Sequence, residues 1–572
     1  MKGNLFSIAQ GLYPRRRAYN MSYRNDFTAC LGQLVPVYWQ NLIPNSSWHV
    51  ITHALIRLNP LVAPIMDNID FYVHFWQAPE RILKGDQFTK FITGELPMEA
   101  YENKYFVPVN LVEYLVNHIP EDFQDTPGAW LLYLIGNGSL LDMLGYDRTL
   151  FGTITVAEGY TGEDASDRKI QCNKLIMYVQ LLVHWYINEN VLPWDTFLED
   201  SEFAVSADLI QGDISNELAN WLVLLYENMD SNFFNHRWPQ DYYTSALPTL
   251  QYGGPTYLPL GDTAPVTGTA ATATTQAPSS LADPAEVQVL PDGTLASVQE
   301  GTAYAIGING TGLQVDLSEA TAITVNELRV ANALQVFKER EMRYGRRAPE
   351  YYKGFYGVRP DDLRLQLPKF LGGGKMPINI SDIEQTSQTF DQQSPLGTLA
   401  GKGTGVAGGF ASASAFASEE TLILGLAWAM PKITYCQQLS RHDTKINDRF
   451  EYFNPSFVHI GEQEVRNYEI YASGDDKEFG YQPRYTEYRF HSNEMHGQFK
   501  DSLSFWTLGR IFDSQPALNA AFIYMQPRAL SRIFAVQVDS NGFVYPNMLV
   551  SMKFNVSLVQ PLSKYGTPSL IV

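Results

Sequence analysis

Residues Met548–Leu558 read MLVSMKFNVSL. Met548, Val550, Met552, Phe554, Val556 and Leu558 fall on one side of an extended chain; Ser551, Lys553, Asn555 and Ser557 fall on the other. A period of two is the mark of a half-buried strand, with one face on a core and the other on solvent or a neighbour. Covering six such side chains is worth on the order of 10 kcal/mol before chain entropy is charged. The partners must come from elsewhere in the chain. Ile69, Phe71, Val73 and Phe75 alternate with Asp70, Tyr72, His74 and Trp76, and Ile51–Leu58 and Ile533–Val538 are further strand candidates. A longer apolar strand is expected within Glu420–Gln437. Strands from both ends of one chain sharing a core give a Greek-key or jelly-roll pattern, with insertions between them.

The 572 residues exceed one ordinary core, which implies either several domains or one β domain with long insertions. Aromatic residues make up 13%, which suits strands and interfaces, and 42 Gly with 32 Pro imply many turns. The net charge of −20 argues against a dedicated nucleic-acid binder, although a shell can be acidic outside and carry a small basic patch inside. Cys30, Cys172 and Cys436 are far apart and odd in number, so neither a disulfide framework nor a paired-cysteine metal site is expected. That fits production in a reducing cytosol. The opening MKGNLFSIAQGLYPRRRAYN has no apolar run before a cleavage site, so no secretory leader is expected. The longest apolar run, Leu175–Ile187, is too short to span a bilayer and reads as a buried helix.

A second stretch, Asp448–Phe490, is crowded with rings: Phe450, Tyr452, Phe453, Phe457, Tyr468, Tyr471, Phe479, Tyr481, Tyr485, Tyr488 and Phe490. Asn454-Pro455, Ser473-Gly474-Asp475-Asp476, Gly480 and Pro483 break any regular helix. Rings on irregular backbone suit surfaces that are covered when copies meet; an aromatic layer inside one subunit is the plainer alternative. Within it, IGEQEVRNYEIYASG (460–474) and FGYQPRYTEYRF (479–490) resemble the signature block of the major capsid proteins of small single-stranded DNA phages, the Microviridae, in their gokushovirus-like branch. Pro483 departs from that block, where an acidic residue is expected. The resemblance extends to ALIRLNPLVAPIMDNIDFYVHFWQAPERIL (54–83), DQFTKFITG (86–94), RWPQDYYTSALP (237–248) and YKGFYGVRPDDLRLQLPKFLGGG (352–374).

The resemblance implies a mainly β fold, a viral jelly roll (an eight-stranded antiparallel β-barrel) with long, partly α-helical insertions. It further implies many copies in a T=1 icosahedral shell, in the virion, around a circular single-stranded DNA genome. The implied partners are the chain itself, that genome, a small basic DNA-binding protein, a minor DNA-pilot protein and a host surface receptor, with no membrane insertion and no cofactor. The expected layout is a basic arm on the inner surface at 1–29, first barrel strands at 30–94, an α-rich insertion at 95–236 and a return to the core at 237–261. A variable Ala/Thr/Gly-rich insertion follows at 262–322, then a helix, loops and the remaining strands at 323–572. Arg15, Arg16 and Arg17 are candidates for DNA contact; a solvated charge cluster is the bland alternative. Tyr468, Tyr471, Phe479, Tyr481, Arg484, Tyr485 and Tyr488 are candidates for contact between subunits. The insertion is read as an outer knob facing the host, through residues such as Gly268, Thr269, Asp292, Gly293, Asn309 and Gly310. Asp292-Gly293 and Asn309-Gly310 are expected to turn two hairpins.

No motif points to catalysis. Gly403–Gly408 fits a dinucleotide pattern but lacks the strand before it and the helix after it, and Met376 stands where a phosphate loop needs Ser or Thr. These glycines, with the Gly/Ala/Ser-rich run 390–418, are read as close packing or an extended loop. His49 and His53 sit in a strand-like run, and no HExxH occurs. The protein is therefore expected not to be an enzyme. The competing reading is a jelly-roll glycan-binding protein or glycoside hydrolase, whose carboxylate pair would be spatial rather than sequential.

Overall fold

The computed structural model describes residues 15–97, 101, 103–156, 159–160, 164–192, 212–251, 253, five short strands between 266 and 315, 325–345, 347–384, 399–446, 448–539 and 541–563. They fall into two compact units, Gln251–Glu341 and the remainder of the chain. The larger unit is organised by nine strands: β1 Arg17–Asn20, β2 Tyr23–Ala29, β3 Val35–Leu42, β4 Ser46–Leu58, β5 Ile69–Pro79, β6 Lys369–Glu384, β7 Leu399–Ala417, β8 Thr421–Pro431 and β9 Met548–Gln560. All pairings are antiparallel, in the order β9–β4–β7–β6–β5–β8–β3, with β1 and β2 end to end along the free side of β9.

The alternation in β9 is realised: its six apolar residues are buried, while Leu549, Lys553 and Ser557 are exposed. In β4, Trp48, Val50, Ala54 and Ile56 point inward. All eleven residues of β8 are buried, because helices cover its other face. The sheet curls until its two edges meet. Asn25 of β2 donates from Nδ2 to the Val37 carbonyl of β3 at 2.8 Å, and Tyr23 stacks on Tyr38 at 5.8 Å. Inside, Tyr38, Trp48, Phe75 and Phe554 form one ring cluster with centroids 5.0–6.5 Å apart. The Trp48 indole donates to the Tyr38 hydroxyl at 2.8 Å, so neither polar atom is stranded in the core. This curled antiparallel sheet with helical insertions is the jelly-roll architecture that the sequence implies.

Three expectations are corrected. The run read as a loop or packing segment at 390–418 contains β7, a nineteen-residue central strand; 390–398 lie outside the described residues. Its small residues are required by crowding. A methyl group on Gly403 would collide with Leu58 of β4 and one on Gly405 with Met376 of β6; in the neighbouring β6, one on Gly374 would collide with the Phe410 carbonyl oxygen and one on Gly373 with the Val73 carbonyl. Residues 17–29, placed in a basic arm, are edge strands held by β9. Ile533–Val538 is no sheet strand: Pro527–Ile533 is a 3₁₀ helix, and only the single bridges Leu61–Phe534 and Val538–Val544 follow.

The insertion between β5 and β6 is helical where it folds back on the barrel: α1 Pro108–Val116, α2 Pro127–Ile135, α3 Asn173–Leu181 and α4 Ser215–Met229. Leu111, Trp130, Leu175, Leu218 and Trp221 are buried among them. The Tyr178 hydroxyl ties α3 to the sheet through the Leu34 carbonyl at 2.9 Å.

In the smaller unit Glu286–Val289, Leu295–Gln299 and Thr302–Ala305 form a three-stranded antiparallel meander. Asp292-Gly293 falls between the first two in the sequence. Leu313–Val315 pairs back to Val266–Gly268 and not to Thr302–Ala305, so the strands flanking Asn309-Gly310 are not each other's partners. Gly268 ends a strand, whereas Thr269, Asp292, Gly293, Asn309 and Gly310 lie outside the described residues.

Gly374→Ala is expected to destabilise the barrel by about 1–3 kcal/mol or more, because backbone rather than a flexible side chain blocks the added methyl group. Urea denaturation checks this, with a lowered midpoint at unchanged slope.

Candidate functional site

Between β8 and β9 the chain builds a loop block around one hairpin, Glu462–Arg466 paired with Glu478–Pro483. Its pivot is Glu469, 1% exposed. The carboxylate accepts from the Tyr242 hydroxyl at 2.9 Å, from Arg441 at 3.0 Å and from the Arg466 amide at 2.9 Å; the Tyr243 hydroxyl donates to the Glu469 carbonyl at 2.8 Å. Burial pushes Glu469 above the usual carboxylate range, with Arg441 opposing. A second buried pair, Lys445–Glu487 at 2.7 Å, is braced by Gln463 at 2.6 Å. Burial alone would raise Glu487; the hydrogen bonds from Lys445 and Gln463 outweigh it and hold the carboxyl below its ordinary value. Sequence reasoning missed Glu469 and Glu487, since an acidic residue between rings carries no signal of burial.

These two pairs sort the rings. Phe479, Tyr481 and Tyr485 are only 6, 9 and 2% exposed, so their own chain already covers them and leaves little to offer a neighbouring copy. The physical reason is the hairpin, which turns Phe479 onto Phe522 at 5.2 Å and places Tyr485 beneath Phe453 at 5.2 Å. Tyr485 holds φ +65°, a left-handed conformation rare for a large side chain. Its amide donates to Gln463, and its hydroxyl reaches the Tyr452 carbonyl at 3.1 Å. Tyr468, Tyr471 and Arg484 are half-buried, and Arg484 donates to the Phe450 carbonyl at 2.7 Å. Tyr488 is exposed.

The rings left on the surface are largely ones outside the predicted contact set. Phe453 is 55% exposed, Tyr452 52% and Tyr488 49%, with Phe450, Phe490, Ile446 and Ile460 also exposed. Phe453 meets Tyr488 at 6.1 Å, and Lys445 lies 4.3 Å from the Tyr488 ring centroid. These exposed rings stand on loops held by the two buried ion pairs.

Arg15, Arg16 and Arg17 are exposed. Arg16 bonds Ser47 and lies over the Phe416 ring at 5.8 Å; Arg17 opens β1. Among the described residues no three His, Cys, Asp or Glu side chains are grouped to hold a metal ion, and no helix is long and apolar enough to cross a membrane.

A curled antiparallel barrel with long insertions and an exposed surface of rings is the design of a viral coat protein. The sequence model of the family described as capsid protein (F protein) matches residues 7–112 and 198–570. The chain belongs to this family, the F-type capsid proteins of the Microviridae. It is 28% identical to capsid protein VP1 of Bdellovibrio phage phiMH2K, and 28% identical to capsid protein VP1 of Chlamydia phage 1. Each alignment covers 99% of this chain and 98% of the relative. It is 25% identical to capsid protein VP1 of Spiroplasma virus 4, over 99% and 97% of the two chains. The family model leaves out 113–197, within the insertion where the sequence resemblance is weakest. The protein is a structural component of the virion and not an enzyme, which removes the glycoside-hydrolase alternative.

Lys445→Met is expected to cost about 3–5 kcal/mol, because it strands the buried Glu487 carboxylate. A second change, Glu487→Gln, restores part of the loss. In the unaltered protein the depressed Glu487 carboxyl contributes stability at neutral pH that is lost as pH falls through its lowered value. Denaturation of the three proteins at pH 7 and in acid checks both statements.

Proposed function

We propose that this capsid protein self-assembles into a T=1 icosahedral shell around a circular single-stranded DNA genome. The observation that carries the reading is the exposed ring surface of Phe450, Tyr452, Phe453 and Tyr488 on a loop block locked by buried ion pairs. An isolated chain has no use for so much rigid apolar area in water, whereas a copy in a shell covers it. Closed symmetry needs a different patch for each axis, so one subunit must carry several contact surfaces. The long insertions into the barrel supply them. Tyr468, Tyr471, Arg484 and Tyr488 of the original contact set keep surface for such contacts; Phe479, Tyr481 and Tyr485 support the patch from beneath. Each contact is weak and reversible, and repetition makes the container stable.

The smaller unit, which holds the Ala/Thr/Gly-rich 262–322 segment, is assigned to the outside of the shell and to host attachment. Its support is compositional: the 262–322 segment has no Lys or Arg for an inner surface, and it lies in a compact unit of its own. A small basic DNA-binding protein and a minor DNA-pilot protein complete the particle, with a host surface receptor as the outer partner.

Deleting 264–320 is expected to leave closed isometric particles in electron micrographs, because the barrel lies wholly in the other unit, and to reduce adsorption to host cells at least tenfold. Loss of particles would remove the outer-knob assignment. Normal adsorption would remove the attachment role.

A further inference from the structure

The outward faces of β2, β9, β4 and β7 carry charge of the wrong sign for this chain. Strand register places Arg24, Lys553, Arg57 and Lys402 on that side. All four are exposed. Arg16 reaches the same face through Ser47, its bonding partner on β4. The outward positions of these four strands hold one carboxylate, Asp26, which Arg24 engages at 2.7 Å. Five cations against one anion, on a protein of net charge −20, is a local reversal of sign.

Their arrangement is costly for folding alone. Lys553 stands directly opposite Arg24 across the β2–β9 pair. Like charges facing each other across an antiparallel pair are destabilising. Neither Lys553, Arg57 nor Lys402 has a salt-bridge partner among the described residues. The stripe follows β4 from Ser47 to Arg57, ten residue steps, or about 33 Å at strand rise. An extended polyanion lying along the stripe would neutralise every member in turn.

Exposed Ile51, Leu55, Val406 and Leu549 share this face, so it is not purely polar. The groups beside the cations still favour nucleic acid over a second copy of the chain: Ser412, Ser414, Ser551 and Ser557 supply hydroxyls, and Phe416, 55% exposed, offers a ring beside Arg16. Protein interfaces are depleted in Lys and Ser, whereas single strands are held by backbone charge together with rings on which bases stack.

We infer that this face of the sheet, from Arg16 and Phe416 past Lys553 to Arg57 and Lys402, is the surface on which the capsid protein holds single-stranded DNA by its phosphates, without reading sequence. The inference rests on the shell reading above and deepens it. It also moves the DNA contact from an N-terminal arm to the strands themselves, with Arg16 as the member shared by both.

The test compares the triple variant Arg57→Gln, Lys402→Gln, Lys553→Gln with a control triple, Lys432→Gln, Arg489→Gln, Lys500→Gln, which changes net charge equally at exposed positions away from the stripe. Purified full-length chain is titrated with a fluorescent oligothymidylate at several salt concentrations, and DNA mass per particle is measured. Each lost phosphate contact removes about 0.7 from the slope of log affinity against log salt. The stripe variant is therefore expected to lose about 2 from that slope and to package less DNA, with particles still forming, while the control stays near the unaltered value. An unchanged slope, or an equal change in the control, overturns the inference and leaves the shell reading intact. Loss of particles with DNA affinity unchanged makes the face a contact between copies and also overturns it. Failure of the unaltered protein to form particles strikes the shell reading itself.

Discussion

The structure depends on closing one sheet around a ring cluster whose members come from opposite ends of the chain. Tyr38, Trp48, Phe75 and Phe554 must be brought together before any of them is dry. The hydrogen bond from Trp48 to Tyr38 lets both polar atoms enter that interior, and Asn25 fastens the edges where β2 and β3 meet. Because β9 follows 116 residues of loop after β8, the loop block between them is held at both ends by the same barrel. Rigidity in the barrel is thereby passed to the surface that carries the exposed rings.

Two kinds of buried charge do this work differently. Lys445–Glu487 and Arg441–Glu469 are largely enclosed, hydrogen-bonded and specific to one arrangement of the loops. They are expensive to break, which fixes the loops in place without adding much net stability. The cations on the outward faces of β9, β4 and β7 remain in water, unpaired with one another's strands and poised for a mobile partner. The first set shapes the subunit for its sister copies; the second suits a ligand that is flexible and polyanionic.

Much of the fold was legible. β9 and β5 announce themselves by apolar alternation, and the resemblance in 54–83 and 460–490 named the architecture. β7 was not, because Gly, Ala and Ser give little hydrophobic contrast between its two faces; crowding by β4 and β6 selects its glycines. β1 and β2 were hidden by polar edge residues such as Arg24, Asn25 and Asp26. The rings of 448–490 could be counted but not sorted. Irregular backbone has no period, so nothing local distinguishes buried Tyr485 from exposed Tyr488 three residues later. The cationic stripe was illegible for another reason: Arg24, Arg57, Lys402 and Lys553 are scattered through the sequence and meet only by strand register.

The central claim is that sister copies cover the surface rings while the inner rings are covered by their own chain. Hydroxyl-radical footprinting of the free subunit against the assembled particle tests it most directly. Tyr452, Phe453 and Tyr488 are expected to be labelled in the free chain and protected at least severalfold in the particle, with Phe479 and Tyr485 poorly labelled in both. Equal labelling of Tyr452, Phe453 and Tyr488 before and after assembly would contradict the account.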